Sequence, residues 1–399
     1  MIRTTPFHER LNALNETGLW EHWAGHLVAT KYQMAEKSEY FAVRNSAAIF
    51  DTSPLFKYRI HGPGAERFLA GVLARDIRTC PPGHAQYTAW CDDRGHVVED
   101  GVVLHLDPDE FILTAAEPNL AYFEGLVVGH EVEIEDVSEA WGVLAFQGPR
   151  SRDLLSALAP AVAKLPYFGL IRTKIDKVPV IVSRTGFTGD LGFEIWAPAA
   201  DALRVWDALW AVSRGQGVVP FGMTALYMAR IEAGLILLDV DFHSSRFAWT
   251  DADRSTPLEL GLGWMFKGID TDDRVFIGRD AIRRERAAKS SRWKLSGLVV
   301  DWREYDRIYG EAGLIPPKDH TPIQDEYYIY DDDLNQLGYA TSQMYSPMLQ
   351  RHIALARVPL DRATPGSRVK LELAVAHKYE YFDAVVSRTP LFDPQRRTA

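Results

Sequence analysis

Three stretches of the chain hold residues whose types and spacing suit chemistry. In HVVEDGVVL, strand alternation places Val98, Asp100 and Val102 on one face and Val97, Glu99 and Gly101 on the other. Asp100 therefore points the same way as valines, where a carboxylate is costly unless it is paired or used. It either satisfies a turn at the strand end or polarises a reacting group. In SRTGFTGDLGFEIW, Gly186, Gly189 and Gly192 recur at three-residue spacing, Phe187 sits between glycines, and Glu194 lies on the arm beyond. Glycines and aromatics followed by an inward carboxylate suit a flat heteroaromatic ligand with N–H donors; an ordinary Gly-rich hairpin has the same composition. The third stretch opens with the helical run FGMTALYMARIEAGL, in which Tyr227, Arg230 and Glu232 stand among apolar residues and buried charges must pair. The loop after it brings Asp239, Asp241, His243, Arg246 and Trp249 together, a density above the needs of a solvated loop that defines no reaction by itself.

Several chemistries are excluded by what accompanies these residues. The chain has no glycine-rich dinucleotide or phosphate loop, no HExxH and no GxSxG. Its 2 cysteines, Cys80 and Cys91, exclude a disulfide scaffold and a cysteine-built zinc site. His22 and His26 have helical i,i+4 spacing but no carboxylate motif beside them, so no metal site is assigned. With 54 acidic against 44 basic residues, the net charge of −10 and pI near 5.7 give no support for nucleic-acid or anionic-membrane binding. The polar N-terminus and the lack of any apolar run of about 18 residues predict a soluble, cytoplasmic protein.

The elements that must position these groups follow from periodicity. The first forty residues, rich in His, Trp and Tyr, lack a clean period and read as an irregular layer over a body. A short helix is expected near 38–46, then a strand in FKYRIHG and a helix opened by Pro63-Gly64. AQYTAWC, HVVEDGVVLHL and EFILTAA read as strands separated by turns, 117–129 as a helix, EVEIEDV as a strand, and WGVLAFQG as a strand feeding a helix with Pro149 in its first turn. Residues 178–196 form a hairpin and 199–213 an amphipathic helix. FGMTALYMARIEAGL is closed by Gly234. The basic run RDAIRRERAAKSSRWK is a helix and linker, and 295–386 hold six short strands whose spacing suggests a small antiparallel barrel or sandwich.

In their order and spacing these segments resemble the folate-dependent aminomethyltransferase family, that of the glycine-cleavage T-protein and its tetrahydrofolate-dependent demethylase relatives. The pieces carrying the resemblance are EYFAVRNSAAIFDTSPLFKYRIHGPGAERFL, AQYTAWCDDRGHVVEDGVVL, LAFQGPRS, RTGFTGDLGFEI, ARIEAGL, STPLELGLGW, FIGRDAI and LGYATSQMYSPMLQRHIALARV, across most of residues 39–358. The resemblance implies an α+β fold arranged as a three-domain ring: two interleaved folate-binding α+β domains within residues 1–290, closed by a C-terminal antiparallel β-barrel over 291–399. It implies tetrahydrofolate as cofactor, Asp100 as the catalytic aspartate near the one-carbon nitrogens, and Glu194 as the carboxylate holding the pterin. Tyr87, Phe168 and Phe187 fall on aromatic positions of the folate pocket.

Departures from the family pattern locate the second substrate. T-proteins usually read GG, two apolar residues, then DD, where this chain has GHVVED; their helix reads ARDxLRLEAG, where this chain has TALYMARIEAG. Leu226 thus replaces a folate-contacting arginine and Tyr227 an aspartate. About ten extra residues, HSSRFAWTDAD, precede TPLELGLGW, and a second aromatic insertion, DWREYDRIYGEAGLIPPKDH, lies in the C-terminal part. The expected activity is transfer of a methyl group from a small O-, S- or N-methyl compound to tetrahydrofolate, with Asp100 and Tyr227 catalytic and His243, Arg246 and Trp249 holding the donor. The rivals are an aminomethyltransferase acting on a lipoyl carrier protein, and a non-catalytic folate-binding protein, whose KGCYxGQE motif is absent. No metal, nucleic acid or membrane is expected among its partners.

Overall fold

The computed structural model describes residues 2–271 and 274–399. Strand Ala47–Asp51 is apolar up to its last residue, Asp51, and buried along its whole length, so both its faces need cover. It lies within a six-stranded sheet in the order Leu170–Ile175, Val178–Ser183, Gly192–Pro198, Trp141–Gln147, Ala47–Asp51, Val218–Pro220, all antiparallel except the last pair. Between two of its neighbours, Ala47–Asp51 and Trp141–Gln147, the chain makes a complete second sheet of five antiparallel strands. That sheet has the order His84–Cys91, Val97–Asp107, Glu110–Ala115, Phe56–His61, Glu133–Asp136. The two α+β units are interleaved because the pairing of Ala48 with Gln147 reaches across this insertion.

The six C-terminal strands close into an antiparallel barrel in the order Trp293–Val300, Arg351–Pro359, Gln336–Ser346, Tyr327–Tyr330, Arg368–Val375, Lys378–Ser387. Closure removes the free sheet edges that such short strands would expose. Helix Trp302–Glu311, within the second aromatic insertion, is capped by the Asp301 carboxylate on the N–H groups of Arg303 and Glu304. It packs Tyr305, Ile308 and Tyr309 on the barrel core.

Four expectations change. The first forty residues are not irregular: they hold helix His8–Asn12 and a hairpin of Trp20–Trp23 with His26–Ala29. His22 and His26 therefore sit on facing strands, opposite Leu27 and Trp23, and their helical spacing is coincidental. Only Leu120–Glu124 of 117–129 is helical; Asn119 spends its side chain on Glu99 rather than on a cap, and Gly125 ends the helix after one turn and a half. The alternation in HVVEDGVVL is broken by a bulge: Trp90 faces Glu99 but Cys91 faces Val97, leaving Val98 as the extra residue. Val98 consequently turns into the core with Trp90 and Phe111, while Asp100 and Val102 face the other way.

A buried ionic cluster joins the units. Arg44, from helix Glu36–Asn45, donates to Glu232 of helix Met223–Ala233 through Nε at 3.1 Å and Nη2 at 2.7 Å, and to the Thr188 carbonyl at 2.9 Å. Glu232 also accepts from Tyr40 Oη and from Ser346 of the barrel, and Asp190 is held by Arg396. Neither Arg44 nor Glu232 is accessible, so removing one leaves the other charge buried without its partner, at a cost on the order of 3 kcal/mol. Glu232→Gln is expected to lower the urea midpoint accordingly, whereas Arg307→Gln, which breaks an exposed helical pair with Glu304 and Glu311, leaves it unchanged.

Candidate functional site

A cavity of about 870 Å³ lies where the two sheets, helix Met223–Ala233 and the first barrel strand meet. Each sheet supplies one carboxylate. From the five-stranded sheet comes Asp100, aimed by the bulge at Val98, with its Oδ2 accepting from Tyr87 Oη at 2.6 Å. Burial lifts Asp100 to about 6, well above the ordinary aspartate range, against the opposing pull of the Tyr87 hydroxyl. Burial and the neighbouring carboxylate push the Tyr87 phenol well above 10, so Tyr87 stays a donor. On the far face of the same strand Glu99 accepts from the Ala116 and Glu117 N–H groups and from Asn119; burial first, then Asp100, raises it to about 8. The residue on which the family pattern differs therefore sets the shape of the strand end and adds a titratable group behind Asp100.

From the six-stranded sheet comes Glu194. Its Oε2 accepts from Thr185 Oγ1, its Oε1 has no partner among the described residues, and burial raises its pKa. Phe168 and Phe187 line the cavity around it. Phe168 is held at φ +60°, a conformation costly for a side chain of its size, by backbone bonds between its N–H and the Arg184 carbonyl (3.2 Å) and between the Ala85 N–H and its own carbonyl (2.7 Å). Glycines of the turn are needed for packing within the protein itself. Gly186 and Gly192 make room for the buried Gln147 side chain, from which a Cβ on either would lie 2.1–2.2 Å away. Gln147 donates to the Thr185 and Phe193 carbonyls and accepts from Thr188, fixing both arms of the hairpin that carries Glu194.

Helix Met223–Ala233 presents Leu226 and Tyr227 to the cavity, and Gly234 ends it in the left-handed conformation. Burial raises Tyr227 to about 12. Arg230, four residues before that end, points away from the cavity into an ion pair with Asp241 at 2.7 Å and a bond to Ser342 of the barrel.

The family is decided by the whole chain. The family model for the GCVT N-terminal domain matches residues 7–268, and that for the glycine cleavage T-protein C-terminal barrel domain matches residues 312–393. The chain belongs to the glycine-cleavage T-protein family. It is an enzyme of that aminomethyltransferase and demethylase group. Similar proteins include a trimethylamine-oxide aldolase of Ruegeria pomeroyi, 31% identical across 99% of this chain and 48% of that protein, so this chain spans about half its length. A heme-dependent oxidative N-demethylase gamma subunit of Ectopseudomonas mendocina is 29% identical over 94% of this chain and 96% of its own. An aminomethyltransferase of Mycobacterium avium is 34% identical over 84% of each. The crystal structure of glycine cleavage system aminomethyltransferase T from Bartonella henselae shares the fold, with a TM-score of 0.81 over 98% of this chain and 99% of that one at 22% identity. Among the described residues no helix is long and apolar enough to cross a membrane.

Within this T-protein-family fold the cavity brings together Tyr87, Asp100, Phe168, Phe187, Glu194 and Tyr227. It does not bring in His243, Arg246 or Trp249. Trp249 is 97% exposed, Arg246 lies over the Tyr122 and Phe247 rings, and His243 pairs with Asp239, so the polar density of this loop serves its own surface and not the cavity wall. Lys57, Arg75, Trp264 and Arg397 also line the cavity, and sequence reasoning passed over all four. Strand alternation in FKYRIHG puts Lys57 on the polar face with Arg59 and His61, so nothing local marks it as buried; its Nζ donates to the Ser53 and Leu55 carbonyls at 2.7 and 2.6 Å, and burial lowers it to about 8.

The raised Asp100 makes a stability prediction. In the folded, ligand-free protein it binds its proton up to about pH 6, whereas the unfolded chain releases it near 3.8. The folded state therefore holds more protons between those values, and stability falls as pH rises through that window by up to about 3 kcal/mol. Asp100→Asn removes this loss while keeping a Tyr87 acceptor. The variant is expected to match the parent below pH 4 and to exceed it above pH 6.5, as read from urea unfolding across pH.

Proposed function

We propose that this protein transfers a methyl group from a small O-, S- or N-methyl compound to tetrahydrofolate. The fit to a reduced folate is supported by the cavity's own chemistry. Glu194, with one oxygen steadied by Thr185 and the other open, suits the adjacent N–H donors of a pterin, and Phe168 and Phe187 cover a flat ring. When bound, tetrahydrofolate supplies the nucleophilic nitrogen that accepts the one-carbon unit. Asp100, titrating near neutrality and steadied by Tyr87, holds a proton or a charge close to that centre. Tyr227, a neutral phenol at physiological pH, is the donor on the wall for the departing heteroatom.

The observation that carries the methyl-donor reading is the position of Leu226 and Tyr227 on the cavity wall, where the family pattern has an arginine and an aspartate. That exchange turns a charged wall into an apolar one with a single hydroxyl, which suits a small methylated compound. The aminomethyltransferase reading, with a lipoyl carrier protein as partner, draws on the 34% identity to enzymes of that name.

The two are separated by supplying the protein and tetrahydrofolate with a panel of methyl ethers, methyl sulfoniums and methylamines, and separately with an aminomethyl-loaded lipoyl carrier. Formation of 5-methyltetrahydrofolate from one of the panel is the expected outcome; rapid ammonia release from the carrier with no methyl product overturns the proposal. Tyr227→Phe should then lower the methyl-transfer rate about a hundredfold with little change in folate affinity. Glu194→Gln should weaken tetrahydrofolate binding about tenfold or more by calorimetry, since it removes a charge-assisted contact from a cavity otherwise unchanged. Unaltered affinity in that variant would exclude Glu194 from the pterin site.

A further inference from the structure

The pairing that builds the five-stranded sheet also gathers three metal-ligating side chains outside the central cavity. His61, at the end of strand Phe56–His61, lies directly opposite Glu133 of strand Glu133–Asp136, which is an outer edge of the sheet. Glu135 stands two residues beyond Glu133, so all three side chains project from one face. His61 Nε2 is 3.7 Å from Glu133 Oε2 and 3.8 Å from Glu135 Oε1, and the three atoms all lie within 4.8 Å of one another. These separations are too long for hydrogen bonds. They are close to the roughly 3.3–3.5 Å between neighbouring ligand atoms of a tetrahedral ion held at about 2.0–2.1 Å.

The surroundings favour a cation at the centre of this triangle. The Nε2 atom is buried and has no hydrogen-bond partner among the described residues. Two carboxylates on one face repel each other, and Glu133 has no lysine or arginine partner among the described residues. Arg59 takes the other oxygen of Glu135, Oε2, at 3.1 Å, which leaves Oε1 toward His61 and fixes the carboxylate from behind. Glu110, opposite His61 on the strand's other side, is not a competitor: Arg59 holds its Oε1 at 2.7 Å and Arg172 its Oε2 at 3.2 Å. The backbone around the ligands is fixed as well. The Gly64 N–H donates to the Glu131 carbonyl at 2.9 Å, and Gly62, at φ +120°, passes so near that a Cβ there would lie 2.8 Å from the same oxygen.

We propose that His61, Glu133 and Glu135 bind a divalent transition-metal ion of the zinc type, which staples the edge strand to its sheet. One imidazole nitrogen with two carboxylate oxygens suits zinc, with water completing the shell, whereas magnesium and calcium prefer oxygen alone. The full chain, freed of metal with a chelator, is titrated by calorimetry with zinc chloride and, separately, with magnesium and calcium chloride. One equivalent of zinc is expected to bind, about tenfold or more tighter than either other ion. His61→Gln and Glu133→Gln, the latter at an exposed position that the fold does not need, should each weaken zinc binding about tenfold or more. His243→Gln, which removes the exposed pair with Asp239, should leave it unchanged. Zinc should also slow amide hydrogen exchange in residues 133–136 of the parent but not of His61→Gln. Equal affinities for the three ions overturn the proposal, as does zinc binding that survives His61→Gln and Glu133→Gln or that is lost in His243→Gln. So does zinc binding that leaves exchange in the edge strand unchanged.

Discussion

The contact on which the assembly depends is the buried pair between Arg44 and Glu232. A guanidinium and a carboxylate with no access to water are tolerable only when every donor and acceptor is used, and here the partners come from four parts of the chain. Tyr40 and Arg44 belong to the helix before the first buried strand, Thr188 and Asp190 to the turn before Glu194, Glu232 to the helix that bears Tyr227, and Ser346 to the barrel. Such a pair contributes less to net stability than apolar residues of equal volume would. What it does is make the relative placement of these parts all-or-none, because a small displacement leaves a charge unpaired. The cavity inherits that definition, since three of its walls are attached to the same cluster.

The two carboxylates of the cavity are aimed by different devices. Asp100 depends on one extra residue in one strand, Val98, which reverses the alternation so that an apolar side chain enters the core and the acid enters the cavity. Glu194 depends on a buried amide, Gln147, for which two glycines give up their side-chain space. Neither arrangement would tolerate a larger neighbour, and each fixes its carboxylate through backbone geometry rather than through a competing ion pair. That leaves Glu194 Oε1 without a partner among the described residues and Asp100 steadied by the Tyr87 hydroxyl.

The succession of strands, the six strands of the C-terminal part and the helix closed at Gly234 were legible because each rests on local periodicity or punctuation; that the six close into a barrel was implied by the family resemblance. The five residues assigned to the central site through the family resemblance share one cavity with Tyr227, which was assigned from a departure from it. What escaped was non-local. A bulge is invisible to alternation because it depends on the partner strand, and Arg75 and Trp264 approach each other across almost two hundred residues with no motif to mark them. The loop around His243 differs for the opposite reason: its composition is rich in functional groups, but burial and direction decide which groups line a cavity, and here Trp249 is exposed and none of His243, Arg246 and Trp249 lies on the cavity wall. The glycines of the turn before Glu194 show the same limit, since their spacing does not tell what packs against them: Gln147 at Gly186 and Gly192, and Ala233 at Gly189.

The interleaving of the two α+β units has a consequence for the order in which the chain emerges from the ribosome. Ala47–Asp51 has no sheet neighbour until Trp141–Gln147 is made, and Arg44 has no Glu232 until 188 further residues have been added. At ordinary rates of synthesis that interval lasts roughly 10–40 s. The five-stranded sheet, whose strand pairings all lie within residues 56–136, can form during that wait, whereas the buried strand before it stays unpaired. The nascent chain thus carries a sticky, β-prone segment until residues 141–147 have been added, the kind of segment that chaperones hold.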